Sequence, residues 1–183
     1  MELIKQTDQS KLIKYFFAII LGSIALTISA KIKIPFYPVP MTMQTFIVLF
    51  LGLSFGYKIA IGTVSLYLLE GILGLPVFSN SPERGIGLVY FTGPTMGYLI
   101  GFLTASYFAS YVSLKDNIFI VFLKLTLAVS TIYLLGFLWL GTLIGWDKPL
   151  FNLGIQPFLL AEAFKLLLLT LITKKIIKLR DFI

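Results

Sequence analysis

The sequence predicts an all-α integral membrane protein, a six transmembrane helix bundle with structured outer loops. Its composition is the first indication: hydrophobic residues make up 58% of the 183 positions and charged residues only 13%. Soluble domains are roughly half apolar and a quarter charged. The second is that the apolar residues form runs close to the ~20 residues that one spanning helix needs. Six such runs occupy residues 1–183, which predicts a single membrane domain.

The first two predicted spans flank a proline-rich segment. Span 1 is expected at residues 12–30, and it is interpreted as a retained helix because no cleavage-site pattern of small residues follows a short apolar core. Residues 34–46 read IPFYPVPMTMQTF, with three prolines within six positions. Proline removes a backbone donor and fixes φ, so this segment is not an ordinary spanning helix. Span 2 is predicted at residues 42–57.

Span 3 is predicted at residues 59–75, after a break marked by Gly52, Gly56 and Lys58. The alternative is one helix through Lys58, which gives five spans. Six are preferred because a continuous helix exceeds the usual spanning length and places a lysine within the bilayer. The remaining spans are predicted at residues 95–114, 118–145 and 156–173.

The basic residues predict the orientation. With the N-terminus inside, nine of the fifteen Lys and Arg residues lie on the inner side, four on the outer side and two within spans. Basic residues concentrate in cytoplasmic loops, so both termini are expected in the cytoplasm and the chain in the cytoplasmic membrane, in contact with lipid. The Gly- and Pro-rich loops at 31–41, 76–94 and 146–154 then face outward.

Composition also excludes several functions. Cys and His are absent, which removes disulfides, Cys/His metal sites, cysteine nucleophiles and histidine bases. No nucleotide-hydrolysis loop of the form G-x-x-x-x-G-K-[ST] is present. No basic face interleaved with aromatics indicates nucleic-acid binding. We therefore expect no catalytic residues, no metal site and no cofactor.

The candidate binding residues centre on Glu162 and Lys165 in span 6. Three positions apart, they share one helix face, and ionisable groups within a membrane usually face a cavity or partner. A local, self-neutralising ion pair is the alternative. The loop before span 4 adds Asn80 and Arg84, although Arg84 is also compatible with plain solvation. Aromatic residues that could cover a flat small molecule lie in or beside the outer loops: Phe36, Tyr37, Phe78, Tyr90 and Phe91.

Small residues recur on one face of span 1. They are Ala18, Gly22, Ala25 and Ser29. Small side chains let another helix approach closely. This face predicts either packing within the bundle or contact with a partner subunit.

Four motifs carry a resemblance to a known family. They are IPFYPVPMTMQTF at 34–46, GLSFG at 52–56, GLPVF at 74–78 and GPTMGYLIGF at 93–102. Together they resemble the biotin transporter family BioY, the substrate-binding S components of energy-coupling factor (ECF) transporters. The resemblance spans about residues 30–165. It implies a six-helix bundle with both ends cytoplasmic and one biotin bound near the outer side.

The resemblance also implies roles for individual residues. The family's acidic residue and lysine in helix 6 correspond to Glu162 and Lys165, with Glu where the family usually has Asp. Glu162 would accept from a ureido N–H of biotin, and Lys165 would donate to a ligand oxygen. Asn80 corresponds to a loop asparagine of the family and would add a hydrogen bond.

The rest of the implied site comes from the loops. Val39 and aromatics such as Tyr90 would cover the ring of biotin, with Gln44 in the segment that forms the lid and wall. The small face of span 1 would meet the coupling transmembrane subunit, which acts with an ATPase pair. The alternatives are an S component for another vitamin, a membrane-embedded enzyme using Glu162 as acid or base, and a structural or assembly subunit.

Overall fold

The computed structural model describes residues 2–182 and shows a bundle built almost entirely of helices. The α-helices are Glu2–Lys31 (α1), Gln44–Ile72 (α2), Met96–Ala109 (α3), Ile118–Ile144 (α4), Leu150–Gly154 (α5) and Leu159–Ile176 (α6). Short 3-10 helices lie at Gly87–Thr92, Gln156–Phe158 and Ile177–Phe182. The predicted loop at 146–154 thus contains the five-residue helix α5.

Four helical stretches of the described chain are long and apolar enough to cross a membrane. They are Lys11–Lys31, Gln44–Ile72, Ile118–Ile144 and Leu150–Asp181, and the shorter apolar α3 lies among them. The all-helical membrane fold predicted from composition is therefore confirmed.

Helix α2 is interrupted at Gly56, within the predicted break. Gly56 has φ 75° and ψ 177°, a backbone region that only glycine adopts readily. The Gln44 Nε2 atom lies 2.7 Å from the Tyr67 hydroxyl, 23 positions further along. A straight helix would separate these residues by about 35 Å at 1.5 Å per residue. Residues 44–55 and 57–72 therefore fold back on each other as a hairpin.

Helix α3 packs tightly between α2 and α4 through glycines. A Cβ at Gly97 would lie 2.3 Å from the Leu135 carbonyl oxygen, and one at Gly101 would lie 2.6 Å from Ile132 Cα. Such close backbone approach is typical of small-residue helix contacts in membranes. The prediction of residues 95–114 is too long, because a separate turn follows α3 in which Asp116 Oδ2 accepts from the Ser113 backbone N–H at 2.9 Å.

A small strand pair closes the segment between α1 and α2, which the all-α prediction did not include. Strand β1 (Lys33–Ile34) pairs antiparallel with β2 (Met41–Thr42), and Lys33 stands opposite Thr42. The polypeptide thus leaves α1 and returns to α2 as a narrow ribbon, with the proline-rich residues at its tip.

The small face of α1 divides between two environments. Gly22 is buried against α2, where a Cβ would meet the Thr63 Cγ2 atom at 2.6 Å, and Ser29 is buried as well. Ala18 and Ala25 are half-buried and line a groove of about 500 Å³ between α1 and the first half of α2.

The final 3-10 helix is anchored to the bundle by Arg180. Its guanidinium donates to the carbonyl oxygens of Leu53 at 2.8 Å and Gly52 at 3.1 Å, just before the break in α2, and to that of Ser110 at 2.9 Å. Helix ends leave carbonyl groups without intrahelical partners. Arg180 therefore satisfies the ends of two helices with one side chain.

Candidate functional site

A cavity lies where the N-terminal ends of α2, α3 and α6 meet the middle of α4. Its interior offers about 50 Å³ to the centre of a water-sized molecule, which is room for a few waters at roughly 10–15 Å³ each. Its walls combine aromatic, aliphatic and hydroxyl side chains with one carboxylate. The lining residues are Val39, Pro40, Met41, Thr42, Gln44, Thr45, Phe78, Ser79, Tyr90, Thr95, Tyr98, Leu99, Phe102, Ile132, Tyr133, Phe158 and Glu162.

Glu162 supplies that carboxylate. The residue is only 5% exposed, and its Oε1 atom accepts from Thr45 Oγ1 and from Lys165 Nζ, each at 2.8 Å. Its Oε2 atom is buried and has no hydrogen-bond partner within the described part of the chain. Buried polar atoms are nearly always hydrogen-bonded, so the carboxylate has an acceptor to offer to a ligand donor, beside Tyr133, which lines the same cavity and whose hydroxyl interacts with the carboxylate.

Lys165 lies behind Glu162 and does not line the cavity. Its Nζ atom donates to the Thr42 carbonyl oxygen at 2.6 Å, to Thr45 Oγ1 at 2.9 Å and to Glu162 Oε1. An ammonium group has three donors, and all three are used by protein acceptors. The local geometry of Lys165 is therefore that of a support for the Glu162 carboxylate.

The start of α6 explains why these two charges occupy one place. Pro157 lies in the 3-10 turn just before α6, where its missing N–H costs no hydrogen bond. Glu162 then falls in the first turn of α6, where the helix dipole favours a negative charge. Lys165 follows three positions later on the same face.

Gln44 and Val39 are both buried in the cavity wall. Gln44 Nε2 donates to the Tyr67 hydroxyl at 2.7 Å, and that hydroxyl donates to the Val77 carbonyl oxygen at 3.2 Å. The chain of donors fixes the Gln44 amide and ties α2 to the loop that follows it. Val39 contributes an apolar surface from the ribbon.

Residues 76–92 cover the cavity, and we call this segment the roof. Phe78, Ser79 and Tyr90 of the roof line the cavity. The rings of Phe78 and Tyr90 stack, with centroids 4.6 Å apart and planes inclined by 29°. The Tyr90 hydroxyl lies 3.4 Å from Ser79 Oγ. The roof thus presents an aromatic surface with two hydroxyl groups.

Asn80 and Arg84 lie in the roof but outside the cavity lining. Asn80 Oδ1 accepts from Lys33 Nζ at 3.0 Å. Arg84 Nη1 donates to the Pro38 carbonyl oxygen at 2.6 Å, and its guanidinium lies 5.7 Å from the centre of the Tyr37 ring. In this arrangement both side chains join the roof to the ribbon.

Sequence reasoning did not assign several lining residues to the site. Thr45 bridges Glu162 and Lys165 through its hydroxyl, and Tyr98 donates to the Gly154 carbonyl oxygen at 2.9 Å. Tyr133 and Phe158 form a further aromatic wall, with centroids 5.9 Å apart. Tyr98 falls within the motif GPTMGYLIGF, which was a signal for it, whereas Tyr133 and Phe158 lie in no motif.

With this geometry established, comparison with known proteins decides the family. The model of the BioY family matches residues 5–182. The chain belongs to the BioY family. Among BioY relatives, the probable biotin transporter BioY of Pyrococcus horikoshii is 34% identical over 143 residues, 78% of this chain and 83% of the relative. The biotin transporter BioY of Thermotoga maritima is 33% identical over 155 residues, 84% and 90% of the two chains.

A solved structure supports the BioY fold independently of close sequence similarity. The crystal structure of the S-component for biotin from an ECF-type ABC transporter matches with a TM-score of 0.76 and 23% identity. The match covers 92% of this BioY chain and 93% of the other. The chain therefore has the S-component fold.

Proposed function

We propose that this chain binds biotin and is the substrate-specific component of a biotin uptake system. The observation that carries the proposal is the buried Oε2 atom of Glu162 in the wall of the cavity, for which the described part of the chain provides no hydrogen bond. The names of the relatives from Pyrococcus horikoshii and Thermotoga maritima support biotin as the ligand. An S component for another vitamin is the alternative that a ligand panel tests.

The chemistry of the cavity suits biotin. The ureido group of biotin offers two N–H donors, and Glu162 Oε2 makes no hydrogen bond within the described residues. Lys165 holds the carboxylate in place through the 2.8 Å ion pair, and it reaches the ligand only if it exchanges one protein acceptor for a ligand oxygen. Phe78, Tyr90 and Val39 cover the apolar ring. Binding pockets of this kind are mostly apolar with a few placed polar groups.

Asn80, Arg84 and Gln44 complete the proposed set. Gln44 lines the cavity directly. Asn80 and Arg84 act from the roof, either by fixing its position or by meeting the carboxylate of the ligand when the roof rearranges.

The hairpin in α2 supports the proposed membrane arrangement. Counting its two halves separately, together with α1, α3, α4 and α6, gives six crossings in one membrane domain. The excess of basic residues supports an orientation with both termini in the cytoplasm and the roof on the outer side of the cytoplasmic membrane. Biotin thus meets the roof first.

The proposed partners are a coupling transmembrane subunit and an ATPase pair. The groove between α1 and α2 fits such a contact, since Ala18 and Ala25 line it beside apolar residues such as Phe50. Gly22 lines the same groove but packs within the bundle. Ser29 lies further along the same face. The chain is proposed as a binding component and not as an enzyme.

The test is direct biotin binding to the purified protein in detergent. Glu162→Ala is expected to weaken binding at least about a hundredfold, because a hydrogen bond to a charged group and its buried support are lost. Asp147→Ala, which removes an exposed carboxylate, is the matched control and should bind as the unaltered protein does. Equal affinity of the Glu162→Ala variant would remove Glu162 from the site. Binding of a different vitamin by the unaltered protein would replace biotin.

A further inference from the structure

The roof begins without regular secondary structure. Only its second part, Gly87–Thr92, is a 3-10 helix, and residues 76–86 form turns and extended backbone. Such a segment has no helical or strand ladder to hold it over the cavity. Its position must come from side-chain contacts with the helices beneath it.

The Phe78 side chain provides one such contact and also packs within the roof. It is 1% exposed, and its ring centroid lies 4.6 Å from that of Tyr90, 5.3 Å from that of Tyr67 and 5.4 Å from that of Phe91. Tyr67 belongs to α2, whereas the other two belong to the roof. The Phe78 ring therefore joins the roof to α2 and forms part of the cavity wall at the same time.

The Phe78 ring packs directly against Gly71. A Cβ atom at Gly71 would lie 2.0 Å from Phe78 Cζ and 2.2 Å from Phe78 Cε2. The ring thus occupies the space that any side chain at position 71 would need. Glycine is disfavoured in a helix interior, and the contact with Phe78 gives a packing reason for its presence near the end of α2.

The backbone of Phe78 is also held in place, by hydrogen bonds. The Phe78 carbonyl oxygen accepts from Lys31 Nζ at 2.8 Å and from Ser81 Oγ at 3.0 Å. The preceding carbonyl, of Val77, accepts from the Tyr67 hydroxyl. Lys31 lies at the end of α1, so the roof is anchored at Phe78 to both α1 and α2.

We propose that Gly71 is the socket for the Phe78 ring and that this contact controls how fast the roof opens. The cavity has room for only a few waters, so a ligand of vitamin size enters or leaves only when a wall moves. Two parts of the wall that lie outside helices and strands are the ribbon tip at Val39 and Pro40 and the start of the roof at Phe78 and Ser79, and Arg84 of the roof joins the two through the Pro38 carbonyl oxygen. Gly71 and Phe78 are therefore positioning residues for ligand exchange. The identity of the ligand rests on the proposed function, whereas the socket does not.

The absence of cysteine from the sequence gives a direct test. A Ser79→Cys variant carries a single thiol on the buried, cavity-lining face of the roof, so its labelling by a water-soluble maleimide in detergent reports opening. The methyl group added by Gly71→Ala overpacks a filled site and destabilises the closed position of the roof. Labelling of the Ser79→Cys protein is therefore expected to be about tenfold faster. The control is Gly62→Ala in the same helix, where a Cβ would meet only the flexible end of Ile19, at 2.9 Å from Cδ1. Equal labelling rates for Gly71→Ala and Gly62→Ala would overturn the proposal.

A second substitution keeps the test decisive if the Gly71→Ala protein does not fold. Phe78→Leu alone removes the ring contacts and should also speed labelling of the Ser79→Cys protein, and an unchanged rate contradicts the socket. In the double variant the smaller Leu side chain leaves room for the methyl group. Where both proteins fold, Gly71→Ala should therefore speed labelling less in the protein that carries Phe78→Leu than in the protein that keeps Phe78. Independent, multiplicative effects would show that the two residues do not act together.

Biotin separates the two proposals. If the proposed function holds, biotin slows labelling of the Ser79→Cys protein, and its release from the protein with Ser79 intact is about tenfold faster with Gly71→Ala than with Gly62→Ala. If biotin neither binds nor protects, the ligand assignment fails while the labelling ratio still decides the socket. If biotin is released at the same rate from the Gly71→Ala and Gly62→Ala variants, the role of the socket in ligand exchange is wrong.

Discussion

Lys165 Nζ and Glu162 Oε1 form an ion pair 2.8 Å long whose side chains are only 5% and 7% exposed. Removing two charges from water is expensive, and their mutual attraction compensates only when further hydrogen bonds complete the arrangement. Thr42 and Thr45 provide those bonds to Lys165. The pair therefore fixes α6 against the start of α2, in addition to presenting a carboxylate to the cavity.

The first prediction concerns the stability that this pair confers. Lys165→Met leaves the Glu162 charge buried without its counterion and should lower the free energy of unfolding by about 3–5 kcal/mol. Thermal unfolding in detergent measures the change. The double variant Glu162→Gln with Lys165→Met should be more stable than Lys165→Met alone, because no uncompensated charge remains. Lys148→Met, in an exposed pair, is the control, and an equally small effect at both lysines would contradict the prediction.

The second prediction concerns the end of the chain. Arg180→Gln should lower the free energy of unfolding by about 2 kcal/mol or more, because charge-assisted bonds to the carbonyls of Gly52, Leu53 and Ser110 are lost. The stability of the Arg180→Lys protein should fall between that of the unaltered protein and that of the Arg180→Gln protein, since a point charge cannot reproduce the fork of a guanidinium. The exposed Lys178 offers the matched control, Lys178→Gln. Unfolding curves that coincide for the two glutamine variants would show that the anchor is not needed.

The third prediction concerns the break in α2. Gly56→Ala should destabilise the protein by about 1–3 kcal/mol, because the backbone there has φ 75° and a side chain is strained in that conformation. A Cβ at this position would meet no atom within 4 Å, so the cost is conformational and not steric. Gly62→Ala, elsewhere in α2, is expected to be close to neutral. A Gly56→Ala protein as stable as the Gly62→Ala protein would contradict this prediction.

The fourth prediction concerns the orientation proposed from the basic residues. Single cysteines can be introduced into this cysteine-free chain at Lys148, proposed outside, and at Lys115, proposed inside; both side chains are exposed. In intact cells a membrane-impermeant thiol reagent should label Lys148→Cys and leave Lys115→Cys unlabelled. After permeabilisation both should react. Labelling of Lys115→Cys alone in intact cells would show that the chain has the opposite orientation.

Helix ends set by local chemistry could be predicted from the sequence. The predicted span at residues 118–145 corresponds to α4, Ile118–Ile144, because Asn117 caps its start by accepting from the Ile120 N–H and Gly145, with φ 100°, ends it. The end of α3 could not be predicted in this way. It depends on the turn at Asp116 and on Arg180, which approaches Ser110 from a segment 70 positions away.

The candidate site also contains residues that the sequence indicated and residues that it did not. Glu162 and Lys165 were singled out because charged residues in an apolar span are costly and therefore conspicuous, but the sequence did not show that Lys165 lies behind Glu162 and outside the cavity lining. Tyr133 and Phe158 were not found, because aromatic residues are common on lipid-facing surfaces and the sequence does not show which face is inward. Arg84 was recognisable as a cation in a loop, but its contact with the Pro38 carbonyl oxygen depends on how two loops meet in space.

The brevity of α3 has a consequence for the path of a ligand. Its 14 residues extend about 21 Å at 1.5 Å per residue, against a hydrocarbon layer about 30 Å thick. Thr95, Tyr98, Leu99 and Phe102, at or just before its first two turns, form cavity wall, so the cavity takes up the start of a helix that is already short for a full crossing. A solute that passes the roof therefore meets helix side chains of the bundle directly, and the walls that surround it up to the carboxylate are protein groups and not lipid.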